Sequence, residues 1–332
     1  MKKIKLGIVG STGLVGSVLL DILDKSNFDI EELRLFASEK SVGKLINFRN
    51  KKYIVETIND NSFNSLDFVL FCSSASISKK YVPLALKNNC IVIDNSSYFR
   101  MDKQTPLIVP EINLEDIKDS KLISNPNCST IQSVMALKPI YDLFGINKII
   151  YSTYQAVSGA GVKGIKDYYS SLLYEKNEFF PYLITESLIP EIDNQVENNF
   201  TKEEIKMVEE TKKILHDGNI DINATCVRVP LLRTHAVSIY LETSKELDLN
   251  LLKSKYLENK SIILLDDLKN HIYPVGEKAI NNDYVYIGRI RKSLNNSNGL
   301  LLYVVSDNLR KGAASNMVQI LEYLVKNNSD II

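Results

Sequence analysis

Hydrophobic and polar positions run in two rhythms along this chain, and the rhythm changes near residue 128. Before it, short apolar runs of the buried-strand kind, "IKLGIVG", "ELRLFAS", "LDFVLFCSS" and "CIVIDNSS", are interleaved with the amphipathic helical stretches "LVGSVLLDILDK" and "KKYVPLALKNN". Such alternation predicts a parallel sheet with helical crossovers. After residue 128 the runs lengthen and alternate at period two: "KIIYSTYQAVS", "INATCVRVPLL", "HAVSIYLETS", "YVYIGRIRKS" and "LLLYVVSD". These predict a mainly antiparallel sheet with helices on one face. The closing "GAASNMVQILEYLVKNN" predicts an amphipathic helix that returns to the first domain. The expected fold class is α/β, with a first domain over residues 1–127 completed by a C-terminal helix within 308–332, and an α+β second domain over 128–307. The polar stretches "NDNSFNS", "SLNNSNG" and the tail "KNNSDII" are expected to be surface loops or a frayed end.

Composition narrows the function classes. The 332 residues, 45% hydrophobic, suffice for two domains with sizeable cores. Forty basic residues balance forty acidic ones, so no global field draws the chain to nucleic acid or an anionic membrane. No apolar run approaches the roughly 20 residues that span a bilayer. The opening "MKKIKLGIVGSTGLVGSVLLDIL" looks like a secretory leader only until its glycines, Ser11, Thr12 and Asp21 are noticed. A cytoplasmic protein is expected. The four cysteines, Cys72, Cys90, Cys128 and Cys226, are far apart with no CxxC pair, which argues against zinc and against a disulfide framework; no metal site is expected.

The first chemical motif is "GIVGSTGLVG", where Gly10, Gly13 and Gly16 fall between a strand and a helix. Backbone N–H groups at such a turn meet a pyrophosphate, so a Rossmann-like dinucleotide site is expected, with Gly10, Thr12, Gly13, Leu14 and Val15 at the cofactor. The second strand ends in "RLFASEKSVGK". Ala37 and Ser38 stand where an NAD-selective sheet usually carries an acidic residue, and Ser38, Lys40, Ser41 and Lys44 suit a 2′-phosphate; Glu39 could instead accept from a 2′-hydroxyl. NADP(H) is the expected cofactor.

The second motif is "LISNPNCSTIQSVMAL". Cys72, Cys90 and Cys226 lie inside strand-like runs and read as buried thiols, whereas Cys128 stands where a strand gives way to a helix. The positive potential of a helix start lowers a thiol pKa and offers N–H groups to an oxyanion, with Ser129 and Thr130 competing as caps. A nucleophile there needs a base. The chain has three histidines; His216 and His271 lie in surface-like contexts, and His235, opening "HAVSIYLE" seven residues after Arg228, is best placed.

Taken in order, "GSTGLVG", "FASEKSVGK", "IDNSSYFRMD", "IVPEIN", "SNPNCSTIQ", "YQAVSGAG", "TKEEIKMVEETKKIL", "CVRVPLLRTHAVS", "YVYIGRIRKS" and "NGLLLYVVSDNLRKGAASNMVQI" resemble the aspartate-semialdehyde dehydrogenase family over residues 4 to about 325. The resemblance implies NADPH-dependent reduction of aspartyl phosphate to its semialdehyde, on the route to lysine, threonine, methionine and diaminopimelate. It implies Cys128 as nucleophile, His235 as acid/base partner and Gln155 as the group orienting the acyl carbonyl. It further implies Arg228 at the substrate carboxylate, Glu204 at its amino group, and Arg100, Asn127 and Lys206 at phosphate. By the same resemblance Ser158, Gly159 and Asn308 are expected to border the nicotinamide, and the second domain to be catalytic and dimerising, giving a homodimer. The residue types suit these roles: Arg228 presents a planar fork to a carboxylate, Lys206 a compact point charge. From the residues alone, "TKEEIKMVEETKKIL" reads as a charged solvent-facing helix with Glu209 and Lys213 as an i, i+4 pair. The chain departs from the family where glycine often precedes the histidine; Arg233 and Thr234 stand there instead.

Two other readings remain open at this level. One is an N-acetyl-glutamyl-phosphate reductase, which shares fold, cysteine and histidine but typically carries Pro-Gly-Cys-Tyr where this chain has "NPNCST". The other is a non-catalytic dinucleotide-binding protein.

Overall fold

The near-continuous apolar runs of the first part are strands buried on both faces, as helices covering a parallel sheet require. The computed structural model describes residues 3–327; residues 328–332 of the expected frayed end lie outside them. The first part runs β1 (Lys3–Val9), α1 (Leu14–Asp24), β2 (Asp29–Phe36), β3 (Leu45–Phe48), β4 (Lys51–Glu56), β5 (Phe68–Phe71), α2 (Ala75–Lys87), β6 (Ile91–Asp94), α3 (Pro110–Asn113) and β7 (Leu122–Ser124). Its seven-stranded sheet has the order β3-β4-β2-β1-β5-β6-β7. Every pairing is parallel except β3 with β4. The strand order turns back at β1, so the carboxyl end of β1 is where an open α/β sheet takes its ligand.

The β3–β4 hairpin was not legible in the sequence. Its two-residue turn is Arg49-Asn50, both left-handed at φ 47° and 63°, instead of the usual Asn-Gly. Arg49 tolerates this because its guanidinium donates to the carbonyls of Leu23, Ser26 and Phe28 at 3.0, 2.8 and 2.6 Å, satisfying the end of α1. "NDNSFNS" is a loop, yet Phe63 within it is fully buried and meets Phe36 edge-on at 5.6 Å. The C-terminal helix Ser315–Asn327 buries Met317, Ile320, Leu321 and Leu324 in the core formed by Leu6, Ile8, Leu19 and Leu23. Residues 313–327 therefore belong with residues 3–126 in one compact unit, and Asn127–Gly312 forms the other.

The second unit contains α4 (Cys128–Phe144), β8 (Lys148–Ala156), α5 (Gly161–Leu172), α6 (Lys202–Leu215), β9 (Asp221–Val229), β10 (His235–Glu242), α7 (Leu249–Glu258), β11 (Ile262–Leu264), β12 (Val285–Lys292) and β13 (Gly299–Ser306). Its sheet has the order β11-β12-β13-β10-β8-β9. The sheet is mixed: β8–β10, β10–β13 and β12–β13 are antiparallel, whereas β8–β9 and β11–β12 are parallel. α4 and α6 cover one face. Along the other, Tyr154, Tyr240 and Tyr303 are only half-buried and Ile150 is exposed. No helix among the described residues is long and apolar enough to cross a membrane.

Candidate active site

In the first unit, Gly10 follows β1 directly at φ +85°, and a Cβ there would lie 2.5 Å from the Cys72 carbonyl oxygen. Gly16, one turn into α1, is closer still, since its Cβ would lie 2.2 Å from the Gly10 oxygen. Only glycine at both positions lets strand, turn and helix pack this tightly. α1 starts at Leu14 with no side chain capping it, so the N–H groups of Leu14 and Val15 open its first turn. A cavity of about 380 Å³ lies over this turn, lined among others by Gly10, Thr12, Gly13, Ser38 and Glu39. Ser41 is buried and its hydroxyl receives the Thr12 hydroxyl at 3.3 Å, tying the glycine loop to the end of β2. Lys40 and Lys44 are exposed beside them. The glycine cradle and the uncapped helix start fit a dinucleotide. Glu39 lines the cavity with Ser38.

Arg100 also belongs to the first unit. It is buried, and its guanidinium donates to the Asn95 carbonyl at 2.7 Å. The turn that presents it is pinned by Asp94, whose carboxylate accepts from Ser78 and Ser96 hydroxyls at 2.8 and 2.7 Å.

In the second unit, Cys128 is the first residue of α4. Neither Ser129 nor Thr130 caps the helix: Asn127 does, its Oδ1 accepting from Ser129 N at 2.9 Å and Thr130 N at 3.3 Å. The other three cysteines are poor nucleophile candidates. Burial pushes Cys72 up to about 12 and Cys90 to about 11, and raises Cys226 further, leaving each a neutral thiol.

Strand register supplies the partners. Gln155 on β8 faces Arg228 on β9 and His235 on β10, so three polar side chains stand abreast on the buried face of three adjacent strands. Ala156 N donates to His235 Nδ1 at 3.0 Å. The Thr234 carbonyl lies 3.0 Å from the same nitrogen, so Nδ1 is held by backbone on two sides, while Nε2 is buried with no partner. Burial, then the Arg228 charge, lowers the His235 pKa to about 3, which keeps the ring neutral. Arg228 donates to the Ala156 carbonyl at 2.8 Å. Burial pulls its guanidinium below the usual arginine range, while the charges of Glu203 and Cys128 oppose that shift. Gly159 packs over both residues. A Cβ there would lie 2.6 Å from Arg228 Nη1 and 3.3 Å from His235 Nε2. Ser158 and Asn308, expected at the nicotinamide, bond to each other, Asn308 Nδ2 donating to Ser158 Oγ at 3.0 Å.

α6 is the largest departure from the sequence reading. It is no solvent-facing charged helix, because Glu203, Glu204 and Glu210 are all buried; of its glutamates only Glu209 is exposed. Glu204, expected at the substrate amino group, has its carboxylate engaged within the fold. Its Oε2 accepts from Thr201 N at 2.8 Å, closing a capping box, and its Oε1 accepts from Cys226 N at 3.1 Å, so both oxygens hold the fold together. Glu203 is the carboxylate that faces the site. Its Oε1 accepts from Asn127 Nδ2 at 2.8 Å and Gln155 Nε2 at 3.1 Å, and its Oε2 meets Lys206 Nζ at 3.1 Å. Burial raises its pKa, but Lys206, the Asn127 amide and Arg228 outweigh that and hold the carboxyl at about 2. The signal for the cap was present in "TKEE": Thr-x-x-Glu is a capping-box spacing that assigns Glu204 to the helix end. Lys206 lies between Glu203 and Asp193, 2.9 Å from the latter. Glu210, also missed, accepts from Asn127 N at 2.7 Å.

A glycine-cradled nucleotide cavity in one unit and a helix-start cysteine with a neutral histidine, a buried arginine and a buried glutamate in the other define a dinucleotide-dependent thiol oxidoreductase. Comparison with known proteins narrows the class. Residues 5–120 match the family model described as semialdehyde dehydrogenase, NAD binding domain, and residues 137–311 match semialdehyde dehydrogenase, dimerisation domain. The chain is 46% identical to aspartate-semialdehyde dehydrogenase of Aquifex aeolicus, over 97% of this chain and 98% of that one. It is 44% identical to the Campylobacter jejuni enzyme, over 97% of each. The crystal structure of aspartate semialdehyde dehydrogenase II from Vibrio cholerae, complexed with ASA, superposes with a TM-score of 0.93 at 38% identity, over 98% of this chain and 99% of that one. The Candida albicans enzyme, solved with NADP, superposes with a TM-score of 0.79 at 25% identity over the full length of both. The chain belongs to the aspartate-semialdehyde dehydrogenase family.

Proposed function

We propose that the protein catalyses the reversible reductive dephosphorylation of L-aspartyl 4-phosphate to L-aspartate 4-semialdehyde, with residues 3–126 and the C-terminal helix binding NADP(H) and residues 127–312 carrying the thiol chemistry. The observation that supports it best is one buried cation, Arg228, opposite Gln155 on the next strand, together with one buried anion, Glu203, bonded to the Gln155 amide. An α-amino acid brings one carboxylate and one ammonium, and burying both requires a partner of opposite sign for each. An N-acetylated substrate has no ammonium to add to the Lys206 contact that Glu203 already makes. The site therefore favours the aspartyl over the N-acetyl-glutamyl substrate.

In this reading Arg228 forks the substrate carboxylate, Glu203 receives its ammonium, and Gln155 orients the acyl carbonyl. The Cys128 thiolate attacks that carbonyl; the C–O bond to phosphate breaks, phosphate leaves, and a thioester forms. Lys206 and Arg100, with the amide of Asn127, are the groups assigned to the phosphate. Bound NADPH supplies the hydride that reduces the thioester carbon. The tetrahedral adduct then collapses to aldehyde and expels the Cys128 sulfur, which recovers from the His235 imidazolium the proton it gave up on becoming a thiolate. The neutral resting imidazole is the form that can accept the Cys128 proton at the start of the cycle. Ser38, Lys40 and Ser41 are assigned to a 2′-phosphate.

The test is phosphate-dependent NADP reduction with aspartate semialdehyde beside N-acetyl-glutamate semialdehyde. Turnover of the first alone, abolished in Cys128→Ala while NADPH still binds, is expected; equal turnover of both, or an active Cys128→Ala, would end this reading.

We also assign a homodimer through the open face of the second unit's sheet. Tyr154 and Tyr303, 6.4 Å apart, with Tyr240 and the exposed Ile150, give that face an aromatic and aliphatic surface that a second copy can cover.

A further inference from the structure

Thr234 stands at φ +75°, left-handed backbone that a β-branched residue rarely adopts. It is 98% buried and directly precedes His235. The surroundings hold it in this conformation. Its N–H donates to Asn308 Oδ1 at 2.9 Å. The preceding Arg233 is ion-paired with Asp307, Nε to Oδ2 2.8 Å, and donates to Asn281 Oδ1 at 2.8 Å. Asp307 in turn accepts from Asn281 N at 2.8 Å and Leu309 N at 2.9 Å, so the whole 233–234 turn is anchored to residues 307–309.

The side chain has its own constraint. A Cβ added to Gly276 would lie 2.5 Å from Thr234 Oγ1, closer than real atoms approach. Gly276 is not among the residues with positive φ, so its backbone does not call for glycine. The hydroxyl of Thr234 does. Two unusual choices, a threonine where the backbone favours glycine and a glycine where the backbone does not, thus meet at one contact.

We propose that Thr234 and Gly276 are a coupled positioning pair for His235. The left-handed turn at Thr234 sets the angle at which the chain enters β10, and the space left by Gly276 lets it do so without shifting the imidazole from Ala156 N. Strained backbone beside a site persists only where its neighbours over-determine it, and a displacement of the reacting group by about 1 Å costs on the order of a hundredfold in rate. The inference rests on the acid/base role proposed for His235.

The experiment is a double-mutant cycle with Gly276→Ala, Thr234→Ala and both together, in the full-length enzyme. Three quantities are read: kcat and KM in the phosphate-dependent oxidation, the ¹⁵N shifts of the His235 ring, and the thermal unfolding midpoint. Gly276→Ala is expected to lower kcat at least tenfold, leave the KM for NADP unchanged and move the His235 ring resonances. Thr234→Ala, which removes Oγ1, is expected to bring the double variant back to within about threefold of Thr234→Ala alone, with the ring resonances restored. Thr234→Gly is expected to raise the unfolding midpoint by relieving the left-handed strain. Equal losses from Gly276→Ala in both backgrounds, or unmoved His235 resonances in Gly276→Ala, would overturn the pairing. Inactivity of the unmutated enzyme on aspartate semialdehyde would instead count against the function, since the resonances and midpoints report the coupling without turnover.

Discussion

Two adjacent glutamates show how much one position along a helix decides. Glu203 and Glu204 are both buried on α6, yet one faces Asn127, Gln155 and Lys206 while the other closes the helix end and holds β9. Exchanging each for glutamine separates the roles. Glu203→Gln should lower kcat/KM for the semialdehyde roughly ten- to a hundredfold, the equivalent of a charged hydrogen bond of about 1.5–3 kcal/mol, with KM for NADP unchanged. Glu204→Gln should leave kinetics near normal and reduce the urea midpoint instead. The reverse pattern would return the substrate role to Glu204. Histidine at 235 gives a second residue-scale test. Its pKa falls from 6.5 unfolded to about 3 folded, so between those pH values the unfolded chain binds a proton that the folded one refuses. Stability therefore rises with pH across that window and is fully present above 6.5. Glu203, held at about 2 against 4.5, adds a contribution present above 4.5 and lost as pH falls toward 2. His235→Gln is expected to flatten the dependence between pH 4.5 and 6.5 while leaving the steeper loss below it; unchanged curves in unfolding scans would show that the buried imidazole is not the cause.

At the scale of elements, the helix starts carry the chemistry. α1 begins without a side-chain cap where a dinucleotide phosphate is proposed, whereas α4 is capped by Asn127 and begins with the proposed nucleophile, Cys128. Asn127 does more than cap: its amide meets Glu203 and its N–H meets Glu210, so it joins α4 to α6. Asn127→Ala should cost about 1–2 kcal/mol as a lost cap and leave the Glu203 oxygen with one donor fewer. A fall in the denaturation midpoint together with a slower alkylation of Cys128 by iodoacetamide is expected. Loss of stability with Cys128 reactivity unaltered would mean that the cap supports the helix and not the thiol.

For the whole molecule, two sheets of different build divide the work. The parallel sheet turns back at β1 and presents its glycine cradle there, whereas the mixed sheet sets Gln155, Arg228 and His235 abreast and leaves its other face half-exposed. Covering that face by a second copy predicts a dimer in light scattering at micromolar concentration. Tyr303→Glu places a charge in the proposed contact and should shift the protein toward monomer with a lower unfolding midpoint. A wild-type protein that is monomeric and active under the same conditions would remove the homodimer.

The sequence by itself determined the alternating elements, the glycine turn, the cysteine at a helix start and the single well-placed histidine, because each is a local pattern of period, cap or turn. It did not reveal the Arg49-Asn50 hairpin, whose left-handed turn is held by carbonyls more than twenty residues away. Nor did it show that Glu204 closes the helix end while Glu203 meets Asn127 and Gln155, although the Thr201 capping spacing pointed to the first. Tertiary structure alone decided that α6 turns its glutamates inward, that Gln155 stands between Arg228 and His235, and that Thr234 adopts a backbone its own side chain disfavours. Each of these depends on register or on packing between segments distant in the chain, where burial and the demand that buried charges find partners override local propensity.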